Sequence, residues 1–152
     1  MACYLNTKNS PMATRNLVAI EVAAGVLFDD QNRVLITQRP NGKHHAGWWE
    51  FPGGKIHSTE TPRQALGREL HEELGIRVKH AKSLLRCDHD YPDRAVTLYF
   101  WQVTEFDGQP VGAEGQRLQW IAVSELMDAG LLPADLPVVE RLQQIVNINS
   151  TL

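Results

Sequence analysis

Residues 52–78, PGGKIHSTETPRQALGRELHEELGIRV, constrain the chain more than any other stretch. Thr61 followed three residues later by Gln64 forms a capping box. Pro62 falls at the first helical position, where its missing N–H costs nothing. Gly75 suits the left-handed residue that ends a helix. The spacing therefore predicts a helix over 62–74, with Leu66, Leu70 and Leu74 on one stripe facing a core.

Glu69, Glu72 and Glu73 stand at i, i+3 and i+4, which puts three carboxylates on one face. They repel one another, and the last two lie at the negative end of the helix dipole. Arg68, four residues before Glu72, relieves part of the repulsion. A hard divalent cation would relieve the rest, since Mg²⁺ takes oxygen ligands from one or two carboxylates, waters and substrate phosphates. Glu60 is close enough in sequence to join from the loop. The competing reading is a solvated acidic helix face without chemistry.

The remaining pattern is that of a soluble domain. The 152 residues are 43% hydrophobic and 22% charged, which suits one domain with a real core. A net charge of −3 gives no electrostatic case for long nucleic acid, so an anionic ligand needs local cations or a metal. Cys3 and Cys87 supply neither a disulfide framework nor a zinc spacing, and a reducing cytosol fits. No apolar run reaches the roughly 18 residues of a membrane span, and the N-terminus lacks a signal-peptide core. A cytoplasmic location is expected, with residues 1–15 polar and flexible and the domain occupying 16–152.

The chain outside the helix reads mostly as strand. Residues 17–28 read as a buried strand and 33–39 as its returning hairpin partner. Residues 40–47 form a polar loop, and 48–51 a short apolar segment before Pro52-Gly53-Gly54. A weak strand pattern over 76–89, a turn at 91–94 and a strong strand over 95–103 follow. After a Gly/Pro-rich loop come a strand at 117–123, a short helix capped by Ser124, and an amphipathic helix over 138–148. This order predicts an α/β chain, a mixed β-sheet sandwiched between helices in three layers, α/β/α.

The spacing of the central stretch carries a resemblance. From Gly54 through Glu60, Arg68-Glu69-Leu70 and Glu72-Glu73 to Gly75-Ile76, it matches GX5EX7REUXEEXGU at nine specified positions over twenty-three residues. The chain resembles the Nudix hydrolases, and within them the branch that hydrolyses oxidised dGTP. The segments EFPGGKI, YPDRAVTLYFW, GAEGQ and PADLPVV carry the likeness over roughly 18–142.

The resemblance implies a Nudix fold and a Mg²⁺-dependent enzyme, with Mn²⁺ as a possible substitute. Its implied reaction is conversion of 8-oxo-dGTP to 8-oxo-dGMP and pyrophosphate by attack at the β-phosphorus, a nucleotide-pool sanitising and mutation-avoiding role. The implied metal ligands are Glu69, Glu72, Glu73, Glu114 and the backbone of Gly53; Glu114 doubles as a candidate general base. Glu60 would orient Arg68. Gly53 and Gly54 let the backbone approach phosphate, and Lys55 adds positive charge. Arg39, His44, Phe51, Asp93, Arg94 and Asp135 match nucleotide contacts, and Ile20 and Val22 match the lining of the base pocket. The partner is a nucleotide, with no long nucleic acid and no membrane; a monomer is expected and a dimer is compatible.

Asp135 departs from that branch, which carries asparagine there. A carboxylate only accepts, whereas an amide or a protonated carboxyl both donates and accepts. Cytosine-nucleotide hydrolases of the family share the PAD ending, so a CTP/dCTP pyrophosphohydrolase is the alternative. ADP-ribose or dinucleotide cleavage comes next. A non-catalytic nucleotide-binding module predicts lost carboxylates, and all are present.

Overall fold

The computed structural model describes residues 19–150. The N-terminal segment 1–15, expected to be flexible, lies outside the described residues. The elements run β1 (Ile20–Leu27), β2 (Arg33–Gln38), β3 (Trp49–Glu50), β4 (Gly53–Lys55), α1 (Pro62–Leu74), β5 (Arg77–Tyr91), β6 (Arg94–Asp107), β7 (Leu118–Ala122), two 3-10 turns (Val123–Asp128 and Pro133–Asp135) and α2 (Leu136–Ser150).

The strands form two sheets, β4-β1-β6-β5 and β3-β2-β7. β1 runs parallel to β6 and antiparallel to β4, so the first sheet is mixed. The expected β1–β2 hairpin does not form. Both edges of β1 are taken by β4 and β6, so β2 leaves for the other sheet after a single bridge, Phe28 to Val34. Asp29 shapes the departure. Its Oδ1 accepts the N–H groups of Gln31 at 2.9 Å and Arg33 at 2.8 Å.

β1 is apolar from Val22 to Leu27, where both of its faces are covered, while Glu21 near its start is exposed. Ala24 and Val26 join a core with Val34, Ile36, Phe51, Phe100 and the α2 residues Val138, Val139 and Leu142. Ala23 and Leu27 join Leu35, Val103 and α1 on the other side. The layers expected from the element order are thus present, with α1 on one side and α2 on the other.

α1 has the predicted bounds. Thr61 Oγ1 accepts the N–H of Gln64 at 3.1 Å, and the Thr61 N–H donates to Gln64 Oε1 at 2.9 Å. Gly75 closes the helix at φ 69°. Leu66, Leu70 and Leu74 are fully buried. The weak 76–89 pattern belongs to a fifteen-residue strand, β5, interrupted by register shifts between Val78 and Leu85. Those shifts break the alternation that would have announced it. Ser124 does not cap a helix; it lies inside the first 3-10 turn, whose N-cap is Ala122 without a side-chain bond. No helix among the described residues is long and apolar enough to cross a membrane.

Candidate active site

A cavity of about 570 Å³ opens where β1, β4, β6, the C-terminal turns of α1 and three loops meet. Its acidic end begins with the β1–β4 pairing, which lays Gly53 and Gly54 beside Ala24 and Ala23. α1 follows from this edge and packs back onto it. A Cβ on Gly54 would run into the Glu69 carboxylate, and one on Gly53 into the carbonyl of Ala23. Glycine at these positions is thus a packing requirement that leaves the backbone open to the cavity.

The three helix carboxylates diverge. Glu69 and Glu73 line the cavity, and Glu73 Oε2 accepts the Gly53 N–H at 3.2 Å. Glu72 lies outside the lining, half exposed, bonded to Arg68 at 3.3 Å. Adjacent residues on a helix point about 100° apart, so Glu72 and Glu73 do not share one direction. Arg68 also binds Glu69 Oε1 at 2.8 Å. Among the described residues no three carboxylates or imidazoles converge on one point suited to an ion, because Arg68 draws two of them to itself. Arg68 is in turn gripped by Glu60 at 2.6 and 3.0 Å and donates to the Lys55 carbonyl at 2.9 Å. That grip, with the His57 N–H, lowers the Glu60 carboxyl to about 2.

Burial raises the Glu73 carboxyl to about 8, with Glu50, Glu69 and Glu114 adding to the effect against the Gly53 N–H. Four carboxylates thus press on one region. Carboxylate and backbone oxygens are the donors a hard divalent cation prefers, so the residues present fit such an ion. Lys55 and Glu114 line the same end.

The other end is shaped for a flat, apolar group with a polar edge. Ile20, Val22 and Phe51 line it, and Phe51 is buried edge-on to Phe100 at 6.0 Å. Asp135, only 3% exposed, sits in the second 3-10 turn and accepts the Phe51 N–H through Oδ2 at 3.2 Å. Burial, then Glu50, pushes its carboxyl well above the ordinary range, against the pull of that N–H and of Arg39. Arg39, His44 and Arg94 also line the cavity. Asp93 does not; at the rim it meets Arg94 at 3.2 Å and His44 at 3.6 Å.

Among the cavity residues that the sequence reading did not single out, Glu50, Tyr91 and Gln116 make polar contacts that shape the site. Glu50 binds the Arg39 guanidinium at 3.0 and 3.2 Å, while Arg39 Nε donates to the His44 carbonyl at 2.6 Å. Burial raises the Glu50 carboxyl although Arg39 opposes it. Tyr91 packs on His45 at 5.3 Å and accepts the Ala134 N–H at 3.3 Å. Gln116 bonds both to the end of α1 and to the Glu114 loop. Glu50 and Gln116 lie inside the segments EFPGGKI and GAEGQ, and that adjacency was the available signal.

The fold is an α/β/α sandwich in which the acidic face of α1 meets the glycine strand β4 at the cavity. The NUDIX domain model matches residues 23–141. The chain is 39% identical over 126 residues to an 8-oxo-dGTP diphosphatase of Escherichia coli, covering 83% of this chain and 98% of that protein. It is also 39% identical to a CTP pyrophosphohydrolase of the same organism, covering 80% and 89%. A solved structure from work on MutT of Aliivibrio salmonicida and Vibrio cholerae is 38% identical with a TM-score of 0.71, covering 82% of this chain and 96% of that one. The chain belongs to the Nudix domain family and is a hydrolase of acid anhydrides. MutT-like members of that family generally use divalent metals.

Proposed function

We propose that this chain is a Mg²⁺-dependent nucleoside triphosphate pyrophosphohydrolase that converts 8-oxo-dGTP to 8-oxo-dGMP and pyrophosphate and so clears an oxidised precursor from the nucleotide pool. The observation that carries the reading is the cavity's polarity. One end gathers Glu69, Glu73 and Glu114 beside Gly53, and towards the other Asp135 is buried near Phe51, with Glu50 and Arg39 close enough to act on its carboxyl. The E. coli 8-oxo-dGTP diphosphatase, similar over nearly its whole length, supports the same substrate.

In this mechanism Glu69, Glu73, Glu114 and the Gly53 backbone would hold the cation. Glu72 contributes only when released from Arg68. The bound ion supplies charge neutralisation at the polyphosphate and activation of water. Gly53 and Gly54 leave room for phosphate oxygens, and Lys55 and Arg94 bring positive charge to the cavity wall. Water attacks the β-phosphorus, the bond from that phosphorus to the α–β bridging oxygen breaks, and the nucleoside monophosphate leaves as pyrophosphate forms. Burial pushes Asp135 towards its protonated form, which would present one donor and one acceptor. An oxidised guanine offers the matching pair, the N7–H and the O6 oxygen, whereas guanine itself lacks the N7 proton.

Cytosine also offers an adjacent donor and acceptor, at N4 and N3. Asp135 and the similarity to a CTP pyrophosphohydrolase therefore favour one second reading, a CTP/dCTP pyrophosphohydrolase. The test is kcat/KM with Mg²⁺ for 8-oxo-dGTP, dGTP, CTP and dCTP, in wild type and Asp135→Asn. Preference for 8-oxo-dGTP is expected, and the substitution should move it by roughly ten- to a hundred-fold, the range set by leaving one buried polar group unpaired. Preference for the cytosine nucleotides would move the chain to the second reading.

A further inference from the structure

We infer that Gln116 is a positioning residue that fixes Glu114 against Glu73 through its own side-chain amide. The inference rests on the reading above that both carboxylates serve a divalent cation. α1 ends at Leu74 with carbonyls that have no partner within the helix. The loop that carries Glu114 supplies the missing donors. Val111 N–H reaches the Leu74 carbonyl at 3.0 Å, and Ala113 N–H reaches the Glu73 carbonyl at 3.0 Å. These bonds anchor the loop just before Glu114.

Beyond Glu114 the backbone bonds of Gly115 N–H to the Gly112 carbonyl at 2.9 Å and of Gln38 N–H to the Arg117 carbonyl at 3.0 Å are joined by a side-chain anchor. Gln116 Nε2 donates to the Glu73 carbonyl at 2.8 Å, and Gln116 Oε1 accepts the Glu114 N–H at 2.9 Å. A single planar amide thus joins the backbone of one acidic residue to the backbone of the other. Only a side chain with both a donor and an acceptor at this length spans that gap. Gln116 lines the cavity, so the bridge lies at the acidic end. The Glu114 side chain is exposed, so its backbone is held by the turn from the Gly115 N–H to the Gly112 carbonyl at 2.9 Å and by the Gln116 bridge, which ties the Glu114 N–H to the end of α1.

The geometry predicts that losing the bridge harms cation binding and leaves nucleotide recognition intact. Partners that orient a metal ligand typically change affinity by roughly 10- to 100-fold when removed. Binding of Mn²⁺ alone, followed by the electron paramagnetic resonance of the free ion, reads this without turnover. Wild type, Glu73→Gln, Glu114→Gln, Gln116→Met and the double variant Glu114→Gln/Gln116→Met form the set, with Gln116→Ala as a second truncation should the methionine disturb folding. Gln116→Met is expected to weaken Mn²⁺ roughly 10-fold, and the double variant to bind no more weakly than Glu114→Gln alone. Under Mg²⁺ turnover kcat should fall, with KM for nucleotide at saturating Mg²⁺ within about two-fold of wild type.

Unchanged Mn²⁺ affinity in both Gln116 variants, with Glu114→Gln impaired, would overturn the inference and leave the functional reading standing. So would strict additivity in the double variant, or a raised KM at unaltered Mn²⁺ affinity, which would make Gln116 a substrate contact. Indifference of Mn²⁺ affinity to Glu73→Gln and Glu114→Gln alike would sink the functional reading itself.

Discussion

Replacing Asp135 with asparagine should change how stability responds to pH in a direction set by burial. The carboxyl is 3% exposed and receives one backbone N–H at 3.2 Å. Burial holds its pKa well above the ordinary value, so the folded chain keeps a proton that the unfolded chain has lost above about pH 4. Between the unfolded and folded pKa the native state binds more protons than the unfolded state. Stability from this group is complete below about pH 4 and declines as pH rises through the folded pKa, by up to about 1.4 kcal/mol per pH unit. Asparagine fills the same space, accepts the same Phe51 N–H and does not titrate. Urea unfolding of both proteins at pH 4.5, 5.5 and 6.5 isolates the group, because most other titrations cancel in the difference. Wild type should steadily lose ground to Asp135→Asn as pH rises across those points. A difference that stays flat, or that moves in favour of wild type, would refute the buried, protonated Asp135 on which base recognition rests.

Other predictions concern the helix and its partners. Glu60, lowered to about 2 by Arg68, contributes stability that is present above about pH 4.3 and lost as pH falls towards 2. Glu60→Gln should therefore flatten the acid limb of a stability–pH profile followed by circular dichroism. Leu70→Ala, at a fully buried site facing β1, should cost about 2–5 kcal/mol in denaturant unfolding. Gly54→Ala pushes a methyl group into the Glu69 carboxylate. It should lower Mn²⁺ affinity and kcat roughly 10-fold or more while circular dichroism still reports a folded chain.

The legible parts of the fold were those written in local chemistry. Thr61, Pro62, Gln64 and Gly75 fixed α1 to the residue because capping is decided within a few positions. The layering followed from the order of strands and helices, and β1 from Val22 to Leu27 is covered on both faces accordingly. The β1–β2 error has a non-local cause. Which strand occupies β1's edges depends on β6, some seventy residues away, and nothing in the turn at 29–32 reveals it. Ser124 had the right chemistry for a cap, but the chain enters a 3-10 turn two residues early, with Ala122 at the N-cap. At the site, the motif spacing singled out Glu69, Glu72, Glu73 and the glycines, of which Glu69, Glu73, Gly53 and Gly54 line the cavity, while the side-chain directions depend on packing. Glu72 is turned outward by helical geometry and held by Arg68. Glu50 was hidden by alternation, since a charged residue on a two-residue strand reads as solvent-facing until Arg39 and Asp135 are seen around it.

The central claim is that carboxylates at the α1 end serve cation-dependent cleavage between the α- and β-phosphates. The most direct measurement is product analysis of 8-oxo-dGTP turnover with Mg²⁺, with Mg²⁺ chelated, and with Glu73→Gln. The account predicts 8-oxo-dGMP and pyrophosphate in equal amounts, no turnover after chelation, and a loss of roughly 100-fold or more in Glu73→Gln. Release of inorganic phosphate in place of pyrophosphate, or turnover that survives both chelation and Glu73→Gln, would contradict it.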